Sequence, residues 1–114
     1  MAVLSRLDNK GFNLIKVSPV LFHPIRMIIM KTLYNHGQAD FRQLRNNIPK
    51  ITDGNLASNL KALKSSGFIE VYKDIIKNKM RTSYEITNEG RKKFEEFELY
   101  LKEYLENRGV TCYE

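Results

Sequence analysis

At 114 residues and 42% hydrophobic content, the chain is long enough to bury one core and too short to split comfortably into two, so a single domain over 1–114 is expected. No stretch approaches the roughly 18 uninterrupted apolar residues of a membrane span, and MAVLSRLDNKGF breaks its apolar residues with Arg6, Asp8 and Lys10, unlike a signal peptide; a soluble, cytoplasmic protein with no membrane partner is expected. The net charge of +6 is unevenly placed: residues 1–83 carry 14 basic and 5 acidic side chains (+9) and residues 84–114 carry 5 and 8 (−3), so one end of the molecule suits a polyanion.

Residues 1–17 have no strong periodicity, although Val3, Leu4, Leu7, Leu14 and Ile15 suit a leading helix or arm. In SPVLFHPIRMIIMKTLYNHG, Pro24 takes a first helical position behind His23. Ile25, Ile28, Ile29, Thr32 and Leu33 then recur at helical spacing, and Gly37 supplies a cap, predicting a helix over 24–36. In ADFRQLRNNIPK, Asp40 and Gln43 form a capping-box pattern, Phe41, Leu44 and Ile48 make one stripe, and Pro49 stops a second, short helix.

ITDGNLASNLKALKSSGF predicts a third helix over 53–66, with Thr52 as N-cap, Ile51 stapled onto Leu56, Gly67 left-handed and Phe68 falling back on Leu63. FIEVY (68–72) and TSYEI (82–86) read as strands joined by a basic loop, KDIIKNKMR. A fourth helix runs from Thr87 as cap to Asn107, ended by Gly109. Its Phe94, Phe97, Leu101 and Tyr104 form a seam, with Leu105 beside it.

This order is that of a winged helix-turn-helix: an α+β, mainly helical fold with the helix-turn-helix and two-stranded wing over 24–86 and a long helix over 87–107. In that design the third helix enters the DNA major groove and the hairpin reaches the flanking backbone or minor groove. On a helical wheel Leu56, Leu60 and Leu63 fall within about 60° of one another, and Gly54, Ser58, Lys61 and Ser65 lie opposite, flanked by Asn55 and Ala62. Small side chains permit close approach, Ser and Asn can donate or accept, and Lys61 can pair with phosphate or a guanine edge. Thr52, Gly54, Asn55, Ser58, Asn59, Lys61 and Ser65 are the candidate contacts on this helix; Lys77, Lys79 and Arg81 on the hairpin, with Arg42 and Arg45 on the second helix, are the candidate phosphate contacts. Asp53 opposes this assignment, because a carboxylate repels phosphate while favouring the helix dipole. The competing readings are a polar helix face and a basic turn that merely meet water.

No Gly-rich phosphate loop, Ser/His/Asp arrangement or paired carboxylates mark an enzyme, and no catalytic residue or cofactor is expected. His23 and His36 stand 13 apart at the two ends of the first helix and suit capping or surface roles rather than metal ligation. Cys112, the sole cysteine, excludes an internal disulfide and a thiolate cage.

The run HPIRMIIMKTLYNHGQADFRQLRNNIPKITDGNLASNLKALKSSGFIEV, followed by RTSYEITNEGRKKFEEF, resembles small winged-helix transcriptional regulators related to the MarR, ArsR and PadR groups, over about residues 19–106. TDGNL (52–56), LKALKSSGFIEV (60–71) and YEITNEGRKKF (84–94) carry the likeness; Ala57 and Asn59 depart from it. The resemblance implies a sequence-specific regulator of double-stranded DNA acting as a homodimer, with Phe94, Phe97, Leu101, Tyr104 and Leu105 as dimer contacts. A small-molecule effector stays open without being indicated. Non-specific DNA packaging, RNA binding and a protein-interaction role are the alternatives, because fold does not fix function.

Overall fold

The computed structural model describes residues 17–106. Residues 1–16 of the expected leading arm (1–17), the end of the last helix at Asn107 and Gly109, and Cys112 lie outside the described residues; Val17, the last residue of that arm, is buried in the core.

A short 3-10 turn, Pro19–Leu21, opens the described chain, with the Ser18 hydroxyl accepting from the Val20 N–H at 3.3 Å and Leu21 wholly buried. Helix α1, Pro24–His36, follows. His23 Nδ1 accepts from the Ile25 N–H at 3.2 Å, and Pro24 occupies a position whose N–H would have lacked a partner. At Gly37 the backbone turns to φ +85° and its N–H donates to the Leu33 carbonyl at 2.7 Å, ending the helix. The buried face is Ile29, Met30 and Leu33, rotated from the expected stripe: Ile28 is 37% exposed. Met30 shares the i, i+3 spacing with Leu33, which turns the buried stripe away from Ile28.

Strand β1, Gln38–Asp40, leads directly into helix α2, Phe41–Asn47. The capping box is present in full: Asp40 Oδ1 accepts from the Gln43 N–H and Gln43 Oε1 accepts from the Asp40 N–H, each at 2.8 Å. Helix α3, Asp53–Ser65, is capped by Thr52, whose Oγ1 accepts from the Asn55 N–H at 3.1 Å. It ends at Gly67, φ +81°, where the Phe68 N–H returns to the Leu63 carbonyl at 3.1 Å.

The hairpin differs most from expectation. Strands β2, Ile69–Ile76, and β3, Lys79–Ile86, absorb most of KDIIKNKMR, leaving a two-residue turn at Lys77 and Asn78 with φ +53° and +63°. Two successive left-handed residues match the twist of the paired strands, so no longer loop is required. Ile75, Ile76 and Met80 therefore lie in the ladder rather than in a loop, with Ile75 opposite Met80. The sheet has three strands in the order β1-β3-β2, all antiparallel, with Ala39 opposite Tyr84. The wing is thus a hairpin anchored by a third strand that the sequence reading missed.

Helix α4, Asn88–Glu106, begins behind Thr87, whose Oγ1 accepts from the Gly90 N–H at 2.9 Å and donates to the Gly67 carbonyl at 2.7 Å. Gly90 lets this helix lie against the start of β2: a Cβ there would sit 2.1 Å from the Phe68 carbonyl oxygen. Phe94 and Phe97, at 2% and 1% exposure, belong to the chain's own core together with Leu21, Ile29, Leu33, Leu44, Leu56 and Leu63. Phe97 meets Phe22 edge-to-face at 5.1 Å, and Phe94 lies 5.6 Å from the Tyr34 ring. Lys31 bonds Glu98 at 2.7 Å, the Tyr34 hydroxyl donates to Glu95, and the Arg91 guanidinium sits 4.9 Å from the Tyr34 ring centroid. These contacts fix α4 to α1. The expected dimer seam is corrected accordingly: Phe94 and Phe97 are intramolecular, Leu101 is half-buried against the core, and only Tyr104 (54%) and Leu105 (75%) stand out from it.

Candidate nucleic-acid interface

Helix α3 sorts its residues as its periodicity demands. Leu56, Leu60 and Leu63 are buried, while Gly54, Asn55, Ser58, Lys61 and Ser65 are exposed, as is the cap Thr52. A Cβ added at Gly54 would meet nothing within 4 Å, so the absence of a side chain serves no internal packing and leaves the first turn open from outside. Free backbone N–H groups and the positive end of the helix dipole are available there.

Two expected contacts are altered. Asn59 is only 4% exposed and is therefore not a groove-facing residue. Its position, three residues from Leu56 and four from Leu63, puts it on the flank of the leucine stripe. There its Oδ1 accepts from Arg26 Nε at 2.9 Å, and its Nδ2 donates to the Asn55 carbonyl at 2.9 Å and to Asn55 Oδ1 at 2.7 Å. Arg26 Nη1 also donates to the Val20 carbonyl at 3.2 Å, so this half-buried side chain ties the opening turn, α1 and α3 together. Arg26 was invisible to sequence reasoning; the i, i+4 pair Asn55–Asn59 was the available signal. The second alteration concerns Arg45, whose Nη1 lies 2.9 Å from Asp53 Oδ1. Both side chains are substantially exposed, and the pair neutralises at once the carboxylate that opposed DNA binding and one of the cations that favoured it.

The remaining cations converge. Arg42 at the start of α2 and Lys77, Lys79 and Arg81 on the wing line one groove of about 760 Å³, together with Phe41, Met80 and Tyr84. Arg81 Nε lies 3.7 Å from Asp40 Oδ2, which restrains it beside the α2 cap. At the wing tip the Ile75–Met80 cross-strand pair is 68% and 65% exposed among these cations, a feature hidden while the segment was read as loop. Donation to Glu70 pushes the Tyr72 phenol up to about 12, and burial raises that of Tyr84, so both phenols stay neutral near physiological pH. Among the described residues, no group of three or more His, Cys, Asp or Glu could hold a metal ion, and no helix is long and apolar enough to cross a membrane.

Against known families, residues 25–105 match the model of the winged helix DNA-binding domain, which spans α1, the capped helices α2 and α3, the hairpin and nearly all of α4. The chain belongs to this family. It is 35% identical over 89 residues to an uncharacterized protein of Methanocaldococcus jannaschii, covering 77% of this chain and 92% of that one. Its winged-helix fold is similar to a solved transcriptional regulator homologue from Pyrococcus horikoshii, with a TM-score of 0.71, 29% identity, and coverage of 94% and 97% of the two chains. A PadR family transcriptional regulator from Eggerthella lenta shares the fold at a TM-score of 0.61 and 20% identity, over 95% of this chain and 89% of that one. In this winged helix the exposed face of α3 and the cationic groove lie side by side, with the Arg26–Asn59–Asn55 chain set behind the former.

Proposed function

We propose that the protein is a sequence-specific, double-stranded DNA-binding transcriptional regulator that acts as a homodimer, with α3 in the major groove and the wing against the flanking backbone. The observation that carries this reading is the pairing of an exposed, small and polar α3 face with a groove lined by Arg42, Lys77, Lys79 and Arg81. The major groove, about 12 Å wide, admits one such helix, and the wing cations then neutralise phosphate beside it. Thr52, Gly54, Asn55, Ser58, Lys61 and Ser65 form the reading face; Asn59 supports it from behind. Arg45 is held in reserve by Asp53.

Dimerisation is assigned to the outer part of α4, where Tyr104 and Leu105 are 54% and 75% exposed. A two-fold dimer would place two α3 helices on half-sites about 34–36 Å apart. Titration of selected duplexes, random duplex and single-stranded RNA at two salt concentrations tests the reading. Selected duplexes should bind at least ~10³-fold more tightly than random sequence, with affinity falling steeply as salt rises. Equal affinity for all duplexes would replace specific regulation by DNA packaging. No binding to any nucleic acid at low salt would point to a protein-interaction role.

A further inference from the structure

Resting on that reading of α3, we infer that Asn55 meets DNA as a hydrogen-bond donor through its outward Nδ2, and that its partner is a single acceptor, either a purine N7 or a phosphate oxygen, and not the two-atom N6/N7 edge of adenine. The inference follows from donor and acceptor bookkeeping. Arg26 can only donate, so the atom of Asn59 that receives its Nε–H at 2.9 Å must be the amide oxygen. The other atom of that buried amide, Nδ2, lies 2.9 Å from the Asn55 carbonyl, which can only accept, and the two contacts fix the Asn59 amide in one orientation. Its second N–H is then directed to the Asn55 side chain at 2.7 Å, so the inward atom of Asn55 must be its oxygen. The Asn55 oxygen is thereby engaged inside the protein, and Nδ2, which has no protein partner among the described residues, is the atom left to face outward on the exposed first turn of α3.

A free asparagine reads adenine through a bidentate pair, its oxygen accepting from N6 and its nitrogen donating to N7. That pair needs both atoms on the outward edge of the amide, and the Asn55 oxygen is turned inward to the buried Asn59. What it offers outward is N–H, which suits a purine N7 or a phosphate oxygen. Arg26 and Asn59 are positioning residues in this scheme: neither faces DNA, yet together they set the polarity of the group that does.

The test uses the full chain and duplexes selected from a random pool by the wild type and by Asn55→Ala, whose exposed position spares the core. On the wild-type duplex each guanine and each adenine is replaced in turn by its 7-deaza analogue, each adenine also by purine lacking the N6 amino group, and each phosphate near α3 by methylphosphonate. Loss of one acceptor, a single purine N7 or a single phosphate, should weaken wild-type binding about 10-fold and leave Asn55→Ala unaffected. The 7-deaza and methylphosphonate arms distinguish the two acceptors. Asn59→Leu, checked for folding by thermal unfolding, should release the Asn55 oxygen and admit the bidentate N6/N7 pair with adenine at the same position. The inference is overturned if the Asn55-dependent position requires an adenine N6 amino group, or if Asn55→Ala binds every modified duplex as the wild type does. Failure to select any duplex over random sequence would instead remove the regulator reading, and this inference with it.

Discussion

Replacing Asp53 by Asn should loosen the protein and tighten its hold on DNA at the same time. The Arg45–Asp53 pair is short, 2.9 Å, but its side chains are 48% and 65% exposed, so breaking it costs at most about 1 kcal/mol. Removing an acidic first-turn residue from α3 costs a further ~0.3–1 kcal/mol of dipole stabilisation. For a domain of this size the sum corresponds to a fall in Tm of several degrees, roughly 4–8 °C per kcal/mol. Binding moves the other way. A carboxylate at the rim of the interface disappears and Arg45 is free to meet phosphate, which at near-aqueous dielectric is worth about 0.5–1 kcal/mol per half-site, or 2- to 5-fold. One further neutralised phosphate per protomer steepens the slope of log K against log salt by about 0.9 per half-site. Thermal unfolding and fluorescence-anisotropy titrations across a salt series measure both effects. A variant with lower Tm but unchanged affinity and slope would refute the placement of Arg45 and Asp53 at the interface.

Gly54→Leu should fold with stability equal to or up to ~1 kcal/mol above wild type, since the site is open and leucine is the better helix former, yet bind duplex DNA poorly; anisotropy together with thermal unfolding decides between interface and tolerated turn residue. Gly90→Ala should destabilise the domain by about 1–3 kcal/mol or more, read from denaturant midpoints, because the new methyl meets backbone at the Phe68 carbonyl rather than a movable side chain. Leu105→Glu should give monomers by light scattering with the fold retained, whereas Phe97→Glu should unfold the chain by placing a charge in its core. A persistent Leu105→Glu dimer would move the interface elsewhere.

The parts of this fold that were legible in the sequence are those decided by short-range chemistry. The start of α1 at His23 and Pro24, the capping box of Asp40 and Gln43, the Thr52 cap and the left-handed Gly37 and Gly67 each involve residues within one turn of one another, and each is found where the sequence put it. What escaped depends on residues far apart in the chain. Strand β1 is three residues long and exists because β3, more than forty residues later, pairs with it. The wing appeared as a loop because Lys77 and Asn78 are not the Asn-Gly signal of a tight turn, although both adopt the conformation that turn requires.

The same distinction governs the site. Periodicity shows that Phe94, Phe97 and Asn59 share faces with apolar residues, but not what covers those faces: for the phenylalanines it is the chain's own α1 and opening turn, and for Asn59 it is Arg26. The exposed residues of α3 were assigned more securely, because three leucines at helical spacing leave only one direction for Gly54, Ser58, Lys61 and Ser65 to face.

The central claim, that the outward face of α3 binds DNA, is tested most directly by comparing the wild type with Lys61→Ala on a selected duplex. Lys61 is exposed, so its loss should leave the unfolding midpoint unchanged while weakening duplex binding by about 5- to 10-fold or more at moderate salt. Equal affinity in a folded variant would contradict the account and take this helix out of the interface.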